Sequence, residues 1–431
     1  MLNVFGQPRA LAQLQRSLHA KRLASTWIFA GPPGTGKFTL ATQLAKTKLC
    51  DRPEHKTNAS LGNDKIPLLP DSFEITLPCN TCDSCRAIDN KGGGSHPDLH
   101  IITKELIRMH DATGKSKGTT LSIDVIRGEI TGDPSESKES KIGKRSFRGR
   151  GKFFLIDEAD LMQNQAQNAL LKTLEEPPPD TYLILITASP SELLSTIRSR
   201  SQIVLFNELP DEIISPRLMS SATPLHNDEA ALISRLARGS LGRALRWADD
   251  IRLIDEKNAK AAERKSKTAA TADPASDEDG GGADSDSTDT NKFTPGGILA
   301  WTHNLSGCLD ELTAGRAAAS DLAALISQYA AEHAALALQR DRLTSVDRAK
   351  RDGICLLMSI AAEWFADRLR QTLGTPHPTP LPSTTGALDP LLVPKLITSA
   401  RSAEAQIDLN VNDKILLAAT TTQWEQLLKR E

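Results

Sequence analysis

Trp27-Ile28-Phe29-Ala30-Gly31-Pro32-Pro33-Gly34-Thr35-Gly36-Lys37 runs a short unbroken apolar stretch into a glycine-rich turn that closes on a lysine. Leu40, Leu44 and Leu49 follow at helical spacing, so a strand and a helix bracket the turn. In that context successive backbone N–H groups and a helix N-terminus can surround a phosphate chain. Gly31, Gly34, Thr35, Gly36 and Lys37 are therefore candidate nucleotide-binding residues, with the lysine neutralising the terminal phosphates. The next position departs from this chemistry. A phosphate loop uses a Ser or Thr hydroxyl there to hold magnesium, and this chain has Phe38. Thr39 offers a hydroxyl one residue later, but a helical step of about 100° turns it away from the metal. It stays on the list of cofactor candidates, with magnesium binding expected to be weak.

Working outward, Leu11, Leu14 and Leu18 form an amphipathic segment before the loop, and apolar runs at 99–102, 153–156, 182–187 and 203–206 read as further strands. Helical patterns alternate with them, among them the one carrying Ala166, Leu170 and Leu174 that stops at Pro177. The fold class is α/β with a parallel sheet. Asp157 and Glu158 close the 153–156 strand, where a phosphate-loop ATPase sets a metal-holding Asp and a water-activating Glu. Helix capping would account for one acid there, but poorly for the pair after a hydrophobic strand. Thr187, ending the next strand, is a candidate contact for the terminal phosphate, against the general frequency of Thr in strands.

Cys79, Cys82 and Cys85 make two Cys-x-x-Cys steps sharing a middle cysteine, and Cys50 at the end of the preceding helix completes a set of four sulfurs. A closed tetrahedral zinc site is the favoured reading, structural because four thiolates leave no open position for water. Disulfides compete with it. The chain shows neither a signal-peptide pattern nor an apolar run of membrane-spanning length, so a reducing cytoplasmic setting is expected. His55 and His96 are spare donors nearby, whereas Cys308 and Cys355 sit in apolar helical surroundings and read as core residues.

A length of 431 residues exceeds what one core organises, so two to three domains are expected. The net charge of −2 provides no global basic field, which confines any nucleic-acid contact to a local patch or to partners. Aromatic residues at 4% disfavour a base-stacking platform of the kind used by single-strand binders. Residues 103–151, apart from the short apolar stretch Leu121 to Ile126, are polar and rich in Lys, Arg, Gly and Ser, which suggests that most of them form a mobile basic loop; near Lys141 to Lys152 it is read as solvated rather than in contact with DNA phosphates. Four regions follow: 1–206 around the phosphate loop and cysteines, a small helical unit at 207–252, an acidic linker at 253–295 that loses almost all large apolar residues from Lys257 to Thr294, and a helical domain at 296–431 whose last helix opens at Asn410-Val411-Asn412.

Gly31 to Lys37, the four cysteines, His96-Pro97-Asp98, Asp157 to Asp160, the stretch from Asn168 to Pro177 and Thr196 to Arg200 occur in this order over roughly the first 250 residues. Together they resemble the clamp-loader subunits of bacterial DNA polymerase III, the delta-prime type in particular, relatives of gamma and tau and of replication factor C subunits. The resemblance implies an AAA+ nucleotide domain with a zinc loop, a helical lid and an all-α collar. It also implies a hetero-pentameric ring with gamma/tau and delta-type subunits that opens a sliding clamp and loads it onto primed DNA during replication. Structural zinc and bound ATP or ADP are the cofactors it implies.

Arg200, in Ser199-Arg200-Ser201, would then be an arginine finger acting in trans on a neighbour's ATP; without the resemblance it reads as a solvated surface arginine. Ser201 stands where the family has cysteine. Gly242 stands where the motor subunits carry an arginine, with Arg243 one place on. Against the family's compact zinc loop, residues 51–78 look like an insertion. Phe38 and Gly242 agree with a delta-prime-type subunit that hydrolyses little ATP, the alternatives being an active gamma/tau-type motor and an unrelated zinc-containing adaptor.

Overall fold

The computed structural model describes residues 4–90, 96–107, 120–132, 139–220, 225–254, 297–340, 346–375, 377, 380–384, 386, 388–407 and 411–429. Most of the expected acidic linker and Asn410 lie outside these residues. The chain forms two compact units, one of Met1–Ile214 with Arg238–Gly242, the other of Ser215–Ala237 with Arg243–Glu431. The segment expected as a separate lid, 207–252, is divided between them.

The first unit is a sheet covered on both faces. Its elements in chain order are α1 (Pro8–His19), β1 (Thr26–Ala30), α2 (Lys37–Leu49), β2 (Glu54–Thr57), β3 (Glu74–Leu77), α3 (Asp83–Asp89), β4 (Leu99–Ile102), α4 (Ile123–Ile126), β5 (Lys152–Ile156), α5 (Asn164–Glu175), β6 (Thr181–Thr187), α6 (Ser195–Arg198) and β7 (Gln202–Leu205). Five strands pair in the order β4-β5-β6-β1-β7, all parallel. Every residue of β1, β5 and β6 is buried, which explains why these strands appear in the sequence as continuous apolar runs. Alternate residues serve opposite faces. Trp27, Phe29, Phe153, Leu155 and Ile184 pack with Leu14 of α1 and Leu40 and Leu44 of α2. Ile28, Phe154, Ile156, Leu183 and Leu185 pack with Val125, Ala166, Leu170 and Ile197 on the other side.

Ala30 pairs in register with Thr187, and Ile156 with Leu185, so β1, β5 and β6 end together at one edge of the sheet. Crevices outside the carboxyl ends of parallel strands are where α/β folds bind ligands.

The 51–78 segment is ordered rather than an open loop. β2 and β3 form an antiparallel hairpin, and Gln15 of α1 holds it by exchanging two hydrogen bonds with the Thr76 backbone, each 3.0 Å. Inside it the buried Asn58 side chain donates to Ile66 O and Leu69 O and accepts from Ile66 N, satisfying a turn that has no strand partner.

The mobile basic loop expected over 103–151 needs correction at its C-terminal end. Residues 139–151 form a fixed loop because Asp98 accepts hydrogen bonds from Ser146 Oγ, Phe147 N and Arg148 N. Residues 108–119 and 133–138 lie outside the described residues.

The second unit is all helical: α8 (Asn227–Leu236), α9 (residues 241–254, of which 243–254 belong here), α10 (Gly297–Thr313), α11 (Ala319–Arg340), α12 (Val346–Thr372), α13 (Val393–Ile407) and α14 (Asp413–Leu428), after α7 (Asp211–Met219) at the boundary of the units. Trp301, Tyr329, Trp364, Phe365 and Trp424 are its large buried side chains. Asn412 caps α14, its Oδ1 accepting from Lys414 N and Ile415 N, which is why that helix starts where it does. Among the described residues, no helix is long and apolar enough to cross a membrane.

Candidate nucleotide and metal sites

The glycine-rich loop leaves β1 at Gly31, where φ is +147° and a Cβ would stand 2.2 Å from Phe206 O. Only glycine lets the loop pass this close to the exit of β7. Thr35 is buried, with its hydroxyl donating to Pro32 O at 2.8 Å. Gln7, not recognised from sequence, fastens the loop from outside: its side chain donates to Asn207 O and to Thr35 O and accepts from Asn207 N.

Lys37 bends back over the loop, its ammonium donating to Gly31 O at 2.5 Å and Pro32 O at 2.6 Å. With the residue 7% exposed, burial lowers its pKa to about 8 from 10.5, although the charges of Asp157 and Asp160 work against the drop. Phe38 is half-buried and packs against the sheet core on the α1–α2 face. Thr39 is exposed in the first turn of α2.

Beyond β5, Asp157 Oδ1 accepts the N–H of Glu158 at 3.0 Å. Its carboxyl is held above the usual carboxylate range by burial and then by the like charge of Glu158. Glu158 takes a left-handed backbone, φ 50° and ψ 47°, a costly conformation for a residue with a side chain, and forms an ion pair with the largely buried Lys104. The Thr187 hydroxyl donates to Asp160 Oδ1 at 2.8 Å and accepts from Ser189 N at 3.0 Å, while Ala188 N also donates to Asp160. Asp160 thereby orients Thr187 at the edge of the crevice. Gly31, Gly34, Gly36, Lys37, Asp157, Glu158 and Thr187 come together at one end of the sheet, as its register requires.

Arg200 lies elsewhere, after α6. It is exposed, donating to Thr196 O at 3.1 Å and to Glu175 Oε1 at 2.8 Å. The turn leading into α6 is set by Gln167, a buried residue on α5 that donates to Met162 O and Glu192 O and accepts from Leu194 N. Its polar side chain on an otherwise apolar helix face was the available sequence signal.

The sulfur atoms of Cys50, Cys79, Cys82 and Cys85 all lie within 4.8 Å of one another, with Cys50 and Cys82 3.9 Å apart. Four sulfurs at a zinc–sulfur distance of about 2.3 Å stand about 3.8 Å apart along a tetrahedron's edges, so this set fits the metal. Backbone N–H groups of Cys79, Cys82 and Cys85 donate to the sulfurs of Cys50, Cys79 and Cys82, the polarity a thiolate needs. Hydrogen bonds from Thr81 bring Cys79 down to about 5, whereas burial raises the thiols of Cys50 and Cys85. His55 is occupied with Glu74 and the buried His96 accepts from Asp98 N, so neither joins the sulfur set. Cys308 and Cys355 are half-buried on α10 and α12 of the helical unit and are not members of the four-sulfur group.

Residues 6–210 match the family described as "DNA polymerase III, delta subunit". DNA polymerase III subunit delta' of Bacillus subtilis (strain 168) is 32% identical over 220 residues, 51% of this chain and 53% of that one. The delta' subunit of Escherichia coli (strain K12) is 29% identical over 234 residues, 54% of this chain and 57% of that protein. DNA polymerase III subunit tau of Salmonella typhimurium is 31% identical over 251 residues, covering 57% and 32%. The chain thus aligns with just over half the length of the delta' relatives.

Proposed function

We propose that the chain, whose residues 6–210 match the DNA polymerase III delta subunit family, serves as the delta-prime-type subunit of a bacterial clamp loader. In this role its AAA+ domain holds nucleotide weakly or passively, hydrolyses little, and completes the ATP site of a neighbouring gamma or tau subunit. The observation that carries this reading is Phe38. At the position that would give magnesium a hydroxyl, the chain has a benzyl group packed toward the sheet core. Overall identity does not separate the two types, since the relatives of each lie near 30%; the distinction rests on this site.

Several features support the same direction. The Lys37 ammonium is engaged by its own loop, Asp157 favours its protonated form more than an ordinary carboxylate does, and Gly242 brings no side chain to the loop. ATP or ADP bound here would lie against the loop amides and Lys37, with Asp157, Glu158 and Thr187 at the phosphate end and with poor magnesium affinity. The four cysteines would hold a structural zinc that closes the knuckle between α2 and α3.

Arg200 would act in trans, its exposed guanidinium stabilising the charge that develops on a neighbour's terminal phosphate. The partners of this reading are gamma/tau-type and delta-type subunits in a hetero-pentameric ring, a sliding clamp, and primed DNA reached through the complex.

Two rates test it. The purified chain should hydrolyse ATP negligibly with magnesium, and an assembly reconstituted with Arg200→Ala should lose about 10³ to 10⁵ of the turnover at the adjacent site. Robust turnover by the isolated chain would assign it instead to the gamma/tau-type motors.

A further inference from the structure

Phe147 is 81% exposed at the tip of the basic loop, and the machinery that holds it there is buried. Asp98, 1% exposed, accepts from Phe147 N at 2.6 Å, Arg148 N at 2.9 Å and Ser146 Oγ at 3.3 Å. Lys152 donates to Lys141 O and Lys144 O, pinning the start of the loop. Arg148 donates to Asp51 Oδ2 and Ser84 Oγ, and Arg150 to Asp51 O, tying the far side to the cysteine knuckle. A buried carboxylate and a buried lysine thus present an aromatic ring to solvent.

Residues 140–152 hold Lys141, Lys144, Arg145, Arg148, Arg150 and Lys152 and no acid. Glu129, Glu139, Asp51 and the buried Asp98 offset part of this charge, and Arg145, exposed two positions before the ring in sequence, has no ion pair among the described residues. In a chain of net charge −2 this is a local excess of positive charge around one exposed aromatic face.

We propose that this loop is a binding site for single-stranded nucleic acid, in which Phe147 stacks on an unpaired base and Arg145, flanked by Lys144, Arg148 and Arg150, neutralises the adjoining phosphates. A lone ring among arginines is too little apolar area for the core of a protein interface, from which charge is depleted. It matches the pairing of stacking and backbone neutralisation that single-strand binders use. A duplex keeps its base faces covered, so the ring selects the single strand. Holding the loop rigid beforehand removes an ordering cost from binding. The site is separate from the phosphate loop, and its failure would leave the clamp-loader assignment intact.

Fluorescence anisotropy of labelled oligothymidylate with the full chain at low salt tests the proposal, with a duplex of equal length for comparison. Saturable binding is expected, tighter for the single strand than for the duplex. Phe147→Ala should weaken it about five-fold or more, and Arg145→Ala should reduce the slope of log affinity against log salt by about 0.7. Both side chains are exposed, so thermal melts of the variants should match the parent. No saturable binding, equal affinity for the duplex, or an unchanged Phe147→Ala would overturn the proposal. A Phe147→Ala chain that binds oligonucleotide normally yet no longer joins a clamp-loader assembly would assign the ring to a protein contact.

Discussion

The backbone amide of Gly242 donates to the carbonyl of Gly34 at 3.0 Å, so the segment entering α9 is hydrogen-bonded to the phosphate loop itself. A Cβ on Gly242 would stand 3.2 Å from Gly34 Cα and 3.4 Å from its oxygen. The glycine is therefore more than a missing arginine: its bareness permits the contact. Gly242→Arg should lower stability by about 1 to 3 kcal/mol through crowding and should create no ATP turnover. Calorimetric melting and a phosphate-release assay check the two halves.

Lys37 predicts a pH signature. Its folded pKa is about 8 against 10.5 when unfolded, so between these values the unfolded chain binds more protons than the folded one. Stability should then rise with pH across that window, and Lys37→Met should flatten the rise. Urea unfolding at a series of alkaline pH values measures it. If nucleotide binds, its phosphates should restore the charge on Lys37. Calorimetric titration just above pH 8 in buffers of different ionisation enthalpy should then report net proton uptake.

The cysteine knuckle should contain one zinc per chain. Because buried Cys50 and Cys85 must each lose a proton to bind it, zinc affinity should fall as pH falls. Cys82→Ser, or a strong chelator, should lower the melting temperature and expose the 51–78 hairpin to protease. Metal analysis and timed digestion with mass spectrometry check both effects. A structural zinc can contribute about 10 to 16 kcal/mol of apparent binding energy in small modules, so the change should be plain.

In the helical unit, Arg235 of α8 meets Asp367 of α12 through two buried hydrogen bonds of 2.9 and 2.6 Å, with Glu363 alongside at 3.1 Å. Breaking such a pair strands a charge. Asp367→Asn should cost about 3 to 5 kcal/mol, while the apolar double replacement Arg235→Met with Asp367→Leu should cost far less. Chemical denaturation of the three chains distinguishes the outcomes.

The central strands β1, β5 and β6 and the convergence at their ends were legible because each is an apolar run, ending before Gly31, at Asp157 and before Ser189-Pro190, and a buried parallel sheet needs such runs. The four cysteines were legible by spacing alone. The hairpin within 51–78 was not, since β2 is exposed throughout and Asn58 and Gln15 do by hydrogen bonding what apolar periodicity would have advertised. Asp98 appeared only as part of a motif. Its three bonds to residues nearly fifty positions away, which convert an expected mobile stretch into a fixed loop, have no local signature. Gln7 and the role of Asp160, which appeared only within a motif, escaped for a related reason: each acts by bonding groups that become neighbours only once the chain has folded.

After α6, the guanidinium of Arg200, 37% exposed, holds only the solvated carboxylate of Glu175 and the carbonyl of Thr196 among the described residues. Such surface pairings contribute little, about 0 to 1 kcal/mol. If the proposed role in trans holds, a more densely charged anion arriving from outside would draw the arginine away at the cost of these two surface contacts alone, so the side chain would change allegiance while the scaffold stays still.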